Sequence, residues 1–174
     1  MKTQKPGFLK RHIRKQPEST IPHRTVDTAA YITVLRDLVE SGNSVSLLIA
    51  GMSMFPFLVH NRDTVYFEAP KRPLKKGDIV FYQRKNGEFV LHRICAVKED
   101  GYYLIGDAQR GIEGPIAQDQ IFAVVTRVIR NGKELDHSSF VWKFFEKFWI
   151  NVIPARRVLM LPWRVKRKLR KIMH

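Results

Sequence analysis

Three turn dipeptides, Asn86-Gly87, Asp100-Gly101 and Asn131-Gly132, each sit beside runs rich in β-branched and aromatic residues. Two-residue loops of this composition favour the type I′ turn, whose twist matches that of two antiparallel strands, so each dipeptide predicts a hairpin. The β-rich runs fall at 45–50, 64–68, 78–85, 88–98, 102–105 and 121–130 and have the length and residue types of strands. Only one helical period precedes them. Ala30, Val34 and Leu38, with Tyr31 and Leu35, recur behind a Thr25 or Asp27 cap and stop at Ser41-Gly42, which predicts one amphipathic helix over 27–40. The expected fold is mainly β with one N-terminal helix.

If Asp100-Gly101 is a two-residue loop, Ile94 pairs with Asp107. His92 is then the diagonal neighbour of Asp107 on the same face, about 7–8 Å away. A three-residue loop would shift the register by one and, unless a bulge compensated, turn the two side chains to opposite faces.

The chain has 174 residues, 44% of them hydrophobic, enough for one compact domain and too apolar for wholesale disorder. Its net charge of +15 is carried by the ends: residues 1–24 carry +6, residues 140–174 carry +9, and the stretch between them is neutral. A neutral body with cationic arms suggests a module held near something anionic, a membrane surface or a nucleic acid. The expected layout is a basic arm over 1–25, a β domain over 26–139 and a basic, aromatic tail over 140–174. The tail interleaves Trp142, Phe144, Phe145, Phe148, Trp149 and Trp163 with Lys and Arg. Its first half, 140–150, is suited either to packing on the β domain or to a membrane, and its last twelve residues are too basic to pack. The N-terminal arm has no apolar run of secretory length and no 18-residue apolar stretch occurs, so neither a signal peptide nor a transmembrane helix is expected. That points to a cytoplasmic or peripheral membrane protein. The single Cys95 excludes an internal disulfide, and no Cys/His spacing suggests a zinc site.

The chemistry-bearing strings are Gly51-Met52-Ser53-Met54-Phe55-Pro56 after the first run, then Lys75-Lys76-Gly77-Asp78-Ile79-Val80, Val90-Leu91-His92-Arg93-Ile94 and Leu104-Ile105-Gly106-Asp107-Ala108. This ordered set resembles the S24/S26 clan of serine peptidases, and most closely the type I signal peptidases, whose nucleophile lies in a G-x-S-M-x-P box. The resemblance runs from about Gly51 to Arg130. It implies the catalytic β fold shared by signal peptidases and LexA-type repressors, with Ser53 as nucleophile. Many members carry a lysine base where His92 stands; histidine there is similar to the archaeal and endoplasmic-reticulum type. The implied mechanism is Ser53–His92 with Asp107 as orienter, and with Gly51, Met54 and Pro56 on the oxyanion and substrate side. Gly51 replaces the hydroxyl residue many members use as an oxyanion donor. The segment 57–63 lacks the usual glycine before its aspartate and is one residue longer.

These residue types fit their roles. A serine hydroxyl at pH 7 needs a base within reach, and a neutral imidazole can take its proton. An ionised aspartate can hold the tautomer and stabilise the imidazolium. Such chemistry needs no metal and no cofactor. Asp78 reads as a turn cap, Cys95 as a small buried residue, and His12, His23, His60, His137 and His174 as surface residues. The expected substrate is a leader or precursor peptide cut beside small side chains, with the tail touching an anionic membrane. The competing expectation keeps the fold but makes the chain a regulatory module whose basic arms contact nucleic acid. A single helix at 27–40, with no second helix for a helix-turn-helix, counts against it.

Overall fold

A computed structural model describes residues 28–162. The basic arm over 1–25, the Thr25 or Asp27 cap, His12, His23, His174, Trp163 and the last twelve residues lie outside the described residues. Helix α1 (Thr28–Glu40) precedes eight strands: β1 (Val45–Leu48), β2 (Asp63–Glu68), β3 (Ile79–Gln83), β4 (Phe89–Lys98), β5 (Gly101–Ile105), β6 (Glu113–Ile116), β7 (Ile121–Arg130) and β8 (Lys133–Asp136). Helix α2 (Phe140–Lys147) and the single turn α3 (Arg156–Leu159) follow, joined by two 3₁₀ turns. The strands form one antiparallel sheet in the order β1-β2-β7-β3-β4-β5-β6, with β8 paired to β7. The protein is mainly β, as expected. Strands β6 and β8 fall outside the six predicted runs.

Alternation along β3 and β4 assigns residues to two different cores. Ile79 and Phe81 face a large cluster closed by Ile32, Leu35 and Val39 of α1 and by Trp142, Phe145 and Trp149. Val80 and Tyr82 face a smaller cluster with Ile94, Leu104, Ile116 and Ile121. Because strand side chains alternate, neighbouring residues of one strand serve unrelated surroundings.

Only Asn131-Gly132 makes the two-residue loop its sequence predicts, with both residues at positive φ and Arg130 paired to Lys133. At Asn86-Gly87 the loop is longer, because the Arg84 N–H donates to the Glu88 carbonyl and leaves three residues between them. At Asp100-Gly101 the glycine already belongs to β5, paired with Lys98, and the loop is Glu99-Asp100. Gly101 answers to a neighbouring strand: at φ +136°, a Cβ on it would come within 2.7 Å of the Ile116 carbonyl oxygen.

One expectation about packing needs correction. Helix α1 buries Ile32, Leu35 and Val39, while Tyr31, Val34 and Leu38 are exposed, because its apolar residues cover more of the circumference than the sheet can receive. Of the two uses open to residues 140–150, packing on the β domain is observed. Trp142, Phe145, Trp149 and Ile150 are buried, Phe57 packs edge-on against Trp142, and Ser139 caps α2. Phe140 and Phe148 remain exposed. Among the described residues, no helix is long and apolar enough to cross a membrane.

Candidate active site

The Ser53 loop leaves edge strand β1 through Ile49 and Ala50. Gly51 turns the chain at φ +91°, and its N–H donates to His60 Nδ1 at 3.0 Å. The Phe55 N–H then donates to the Met52 carbonyl at 3.1 Å and the Leu58 N–H to the Met54 carbonyl at 2.8 Å. These turns drive Met54 and Phe57 into the core and leave Ser53 half-buried at the wall of a cleft. Among the described residues neither the Ser53 hydroxyl nor its N–H has a hydrogen-bond partner, so both are free for a ligand. Asn61 takes a left-handed conformation at φ +54°, and its N–H donates to the Ile49 carbonyl at 2.9 Å. Buried Asp63 ties off the longer loop by accepting from the Val59 N–H, Arg62 and Arg130.

The Gly-Asp string grips this loop from behind. The Ala108 N–H donates to the Ser53 carbonyl at 2.8 Å. A Cβ on Gly106 would stand 2.6 Å from that carbonyl oxygen, so a side chain there would displace the Ser53 loop.

The cleft has a volume of about 790 Å³. Apolar Ile32, Leu47, Ile49, Phe81 and Leu91 form much of its lining, with Arg84, Glu88 and Gln109 as polar groups and both Ser53 and His92 on its wall. Of the other predicted site residues, Gly51 and Met54 also line it. The Gly51 amide is already used by His60, and the Ser53 N–H is among the amides of this loop that keep no partner within the described residues. Pro56 is half-buried and lies outside the lining.

His92 is 1% exposed and pairs across the ladder with Val80, so Tyr82 is its diagonal neighbour on the same face. His92 Nδ1 lies 3.2 Å from the Tyr82 hydroxyl and 3.4 Å from Glu113 Oε1. Tyr82 in turn donates to Glu113 Oε2 at 2.8 Å. Arg84 grips the same carboxylate with Nε at 2.8 Å and a second, shorter bond from its terminal nitrogen. Burial pushes the His92 pKa down to about 4; Glu113 and, more weakly, Asp107 and Glu88 pull it up, while Arg84 adds to the depression. Hydrogen bonding to Arg84 holds Glu113 below the usual carboxylate range, against its partial burial. Burial and Glu113 keep the Tyr82 phenol protonated. His92 is therefore a neutral imidazole at pH 7.

Asp107 is not the hydrogen-bond partner of His92. The β4–β5 register pairs Ile94 with Leu104 and Arg93 with Ile105, with a bulge between Ile94 and Ala96, so the predicted Ile94–Asp107 pairing does not form. Both Asp107 oxygens bind Arg93, at 3.0 and 2.7 Å, and both residues are fully buried. Arg93 also donates to the Gly77 carbonyl at 3.0 Å and lies 4.9 Å over the Phe57 ring. The link from Asp107 to His92 is a weaker through-space attraction. Two C-terminal residues brace the same loop: the Trp149 indole donates to the Asp107 carbonyl, and Arg156 donates to the carbonyls of Gly106 and Gln109.

Asp78, Cys95 and His60 behave as expected, and His137 does not. Asp78 accepts from the Lys75 N–H and from Arg72. Cys95 is buried, its thiol donates to the Tyr103 carbonyl, and burial raises its pKa, which disfavours the thiolate. His60 is exposed although it contacts the Ser53 loop, whereas His137 is half-buried, with its ring 4.5 Å from that of Trp142. Sequence reasoning did not find Tyr82, Glu113, Arg93 or Arg156. An alternation count in β3 and β4 could have placed Tyr82 beside His92; Glu113 comes from a strand that the pattern missed.

Compared with protein-family models, with curated proteins and with solved structures, the chain matches none.

Proposed function

We propose that the protein is a serine endopeptidase of signal-peptidase type that cuts a leader or precursor peptide with Ser53 as nucleophile and His92 as general base. One observation carries this reading: an uncommitted serine hydroxyl and a buried, neutral histidine line the same apolar cleft. The substrate lies extended in the cleft with small side chains beside the scissile bond. Ser53 Oγ attacks the peptide carbonyl while its proton passes to His92, and the Ser53 N–H donates to the oxyanion. The tetrahedral intermediate expels the amine, which takes the proton from His92 and leaves an acyl-serine. Water, deprotonated by His92, then releases the acid and restores the serine. Exposed Phe140 and Phe148 with Lys143 and Lys147 on α2 support peripheral contact with an anionic membrane, where each basic residue contributes about 1 kcal/mol.

The test is an activity-based serine probe followed by mass mapping, with cleavage of a peptide library in parallel. Labelling at Ser53, abolished together with cleavage in Ser53→Ala at an unchanged melting temperature, is the expected result. Cleavage that survives in Ser53→Ala overturns the reading.

A further inference from the structure

Hydrogen-bond direction around His92 is fixed by the one group in the cluster that can only accept. Glu113 is clamped by Arg84 and ionised, and an ionised carboxylate has no proton to give. The Tyr82 hydroxyl must therefore donate its single proton to Glu113, at 2.8 Å. Facing His92 Nδ1 at 3.2 Å, the phenol oxygen then has only lone pairs to offer. The contact is made when Nδ1 carries the proton, and Nε2 is left unprotonated.

We infer that Tyr82 and Glu113 are the positioning relay of His92, holding the imidazole in its Nδ1–H tautomer and leaving Nε2 as the proton acceptor. This inference rests on the Ser53–His92 reading and assigns the orienting role to residues other than Asp107. Glu113 Oε1, 3.4 Å from Nδ1, also stabilises the imidazolium formed when Ser53 gives up its proton. The charged and titratable groups around the ring are Tyr82 and Arg84 from β3 and its end, Glu88 from the loop before β4, Glu113 from β6, and Asp107, more distant, beyond β5. Among the carboxylates Glu113 exerts the strongest pull.

Glu113→Gln inverts the chain of donors, because a glutamine amide can donate to the phenol oxygen and free the Tyr82 proton for His92 Nδ1. The Nε2–H tautomer then prevails, in which the base has lost its lone pair toward the cleft. The experiment combines ¹⁵N imidazole shifts of the full chain above pH 6 with the pH profile of Ser53 probe labelling. The wild type should show Nδ1–H. Glu113→Gln should show Nε2–H, label roughly 10²–10⁴-fold more slowly, and have its acid limb moved to lower pH. Glu113→Asp, which keeps the charge, should recover part of the rate. Tyr82→Phe, which keeps the ring in the core, should lose the fixed tautomer and slow labelling without an inverted one.

A wild type in the Nε2–H form overturns the relay without recourse to any variant. So do unchanged rates and tautomers in Glu113→Gln and Tyr82→Phe. If the wild type shows Nδ1–H but Ser53 takes no probe at any pH, the peptidase reading fails and the relay geometry stands.

Discussion

His92 and Arg93 are neighbours on β4 and are buried to the same degree, yet strand alternation delivers them to opposite environments. On the Arg93 side the charge is paired: a bidentate carboxylate, a backbone carbonyl and an aromatic face enclose the guanidinium. On the His92 side the ring is neutral, fixed at one nitrogen by a phenol, and beside an open cleft. A buried cation survives only with its counter-charge. A buried histidine can discard its charge and so keep a lone pair for chemistry. One face of the strand encloses a paired charge, and the other presents a neutral ring to the cleft.

The sharpest way to break this contrast is Asp107→Ala, which leaves Arg93 buried and unpaired. It should cost about 3–5 kcal/mol, a melting-temperature loss of roughly 6–20 °C, read by calorimetry. Replacing both partners with apolar residues, Arg93→Met with Asp107→Leu, should recover much of that loss. If Asp107→Ala is as stable as wild type but inactive, Asp107 belongs to the reacting face after all.

Gly106→Ala tests the link between the faces, since the added methyl group collides with the Ser53 carbonyl oxygen. Labelling at Ser53 should slow by about 10²-fold with a stability loss of about 1–3 kcal/mol. An active Gly106→Ala would show that the nucleophile loop moves independently of its support.

Acid sharpens the comparison further. Because the His92 pKa is lowered to about 4, the base is neutral above that value, and activity should rise through about pH 4 and be level by pH 6. The unfolded chain takes up the His92 proton first, near its ordinary value, so His92 contributes stability that is present at pH 7 and is lost as pH falls from about 6.5 through 4. A rate that rises only in the alkaline range, with His92→Ala still active, would assign the base to a lysine.

The smallest effect concerns α2. The double substitution Phe140→Ser and Phe148→Ser alters exposed side chains only and should weaken sedimentation with anionic vesicles while the melting temperature holds. Unchanged binding would place membrane contact elsewhere. Deleting 140–174 cannot make this test, because it removes buried Trp142, Phe145 and Trp149 and should unfold the domain.

Local chemistry made the helix, six strands, the Asn131-Gly132 turn and the ordered strings around Ser53, His92 and Asp107 legible in the sequence, because each depends on residues a few positions apart. The sequence did not reveal which carboxylate meets which base. A one-residue shift of the loop and one bulge on β4 moved Asp107 away from His92 and onto Arg93. Tyr82 came to His92 from β3, and Glu113 from the short strand β6, whose Gly114 and Pro115 conceal it from any strand pattern. Those contacts are long-range, and register and bulges are set by the packing of whole sheets rather than by any dipeptide. The sequence by itself determined that this is a β protein presenting a serine and a histidine; tertiary structure decided which acidic residue stands beside the histidine and which pairs with the arginine.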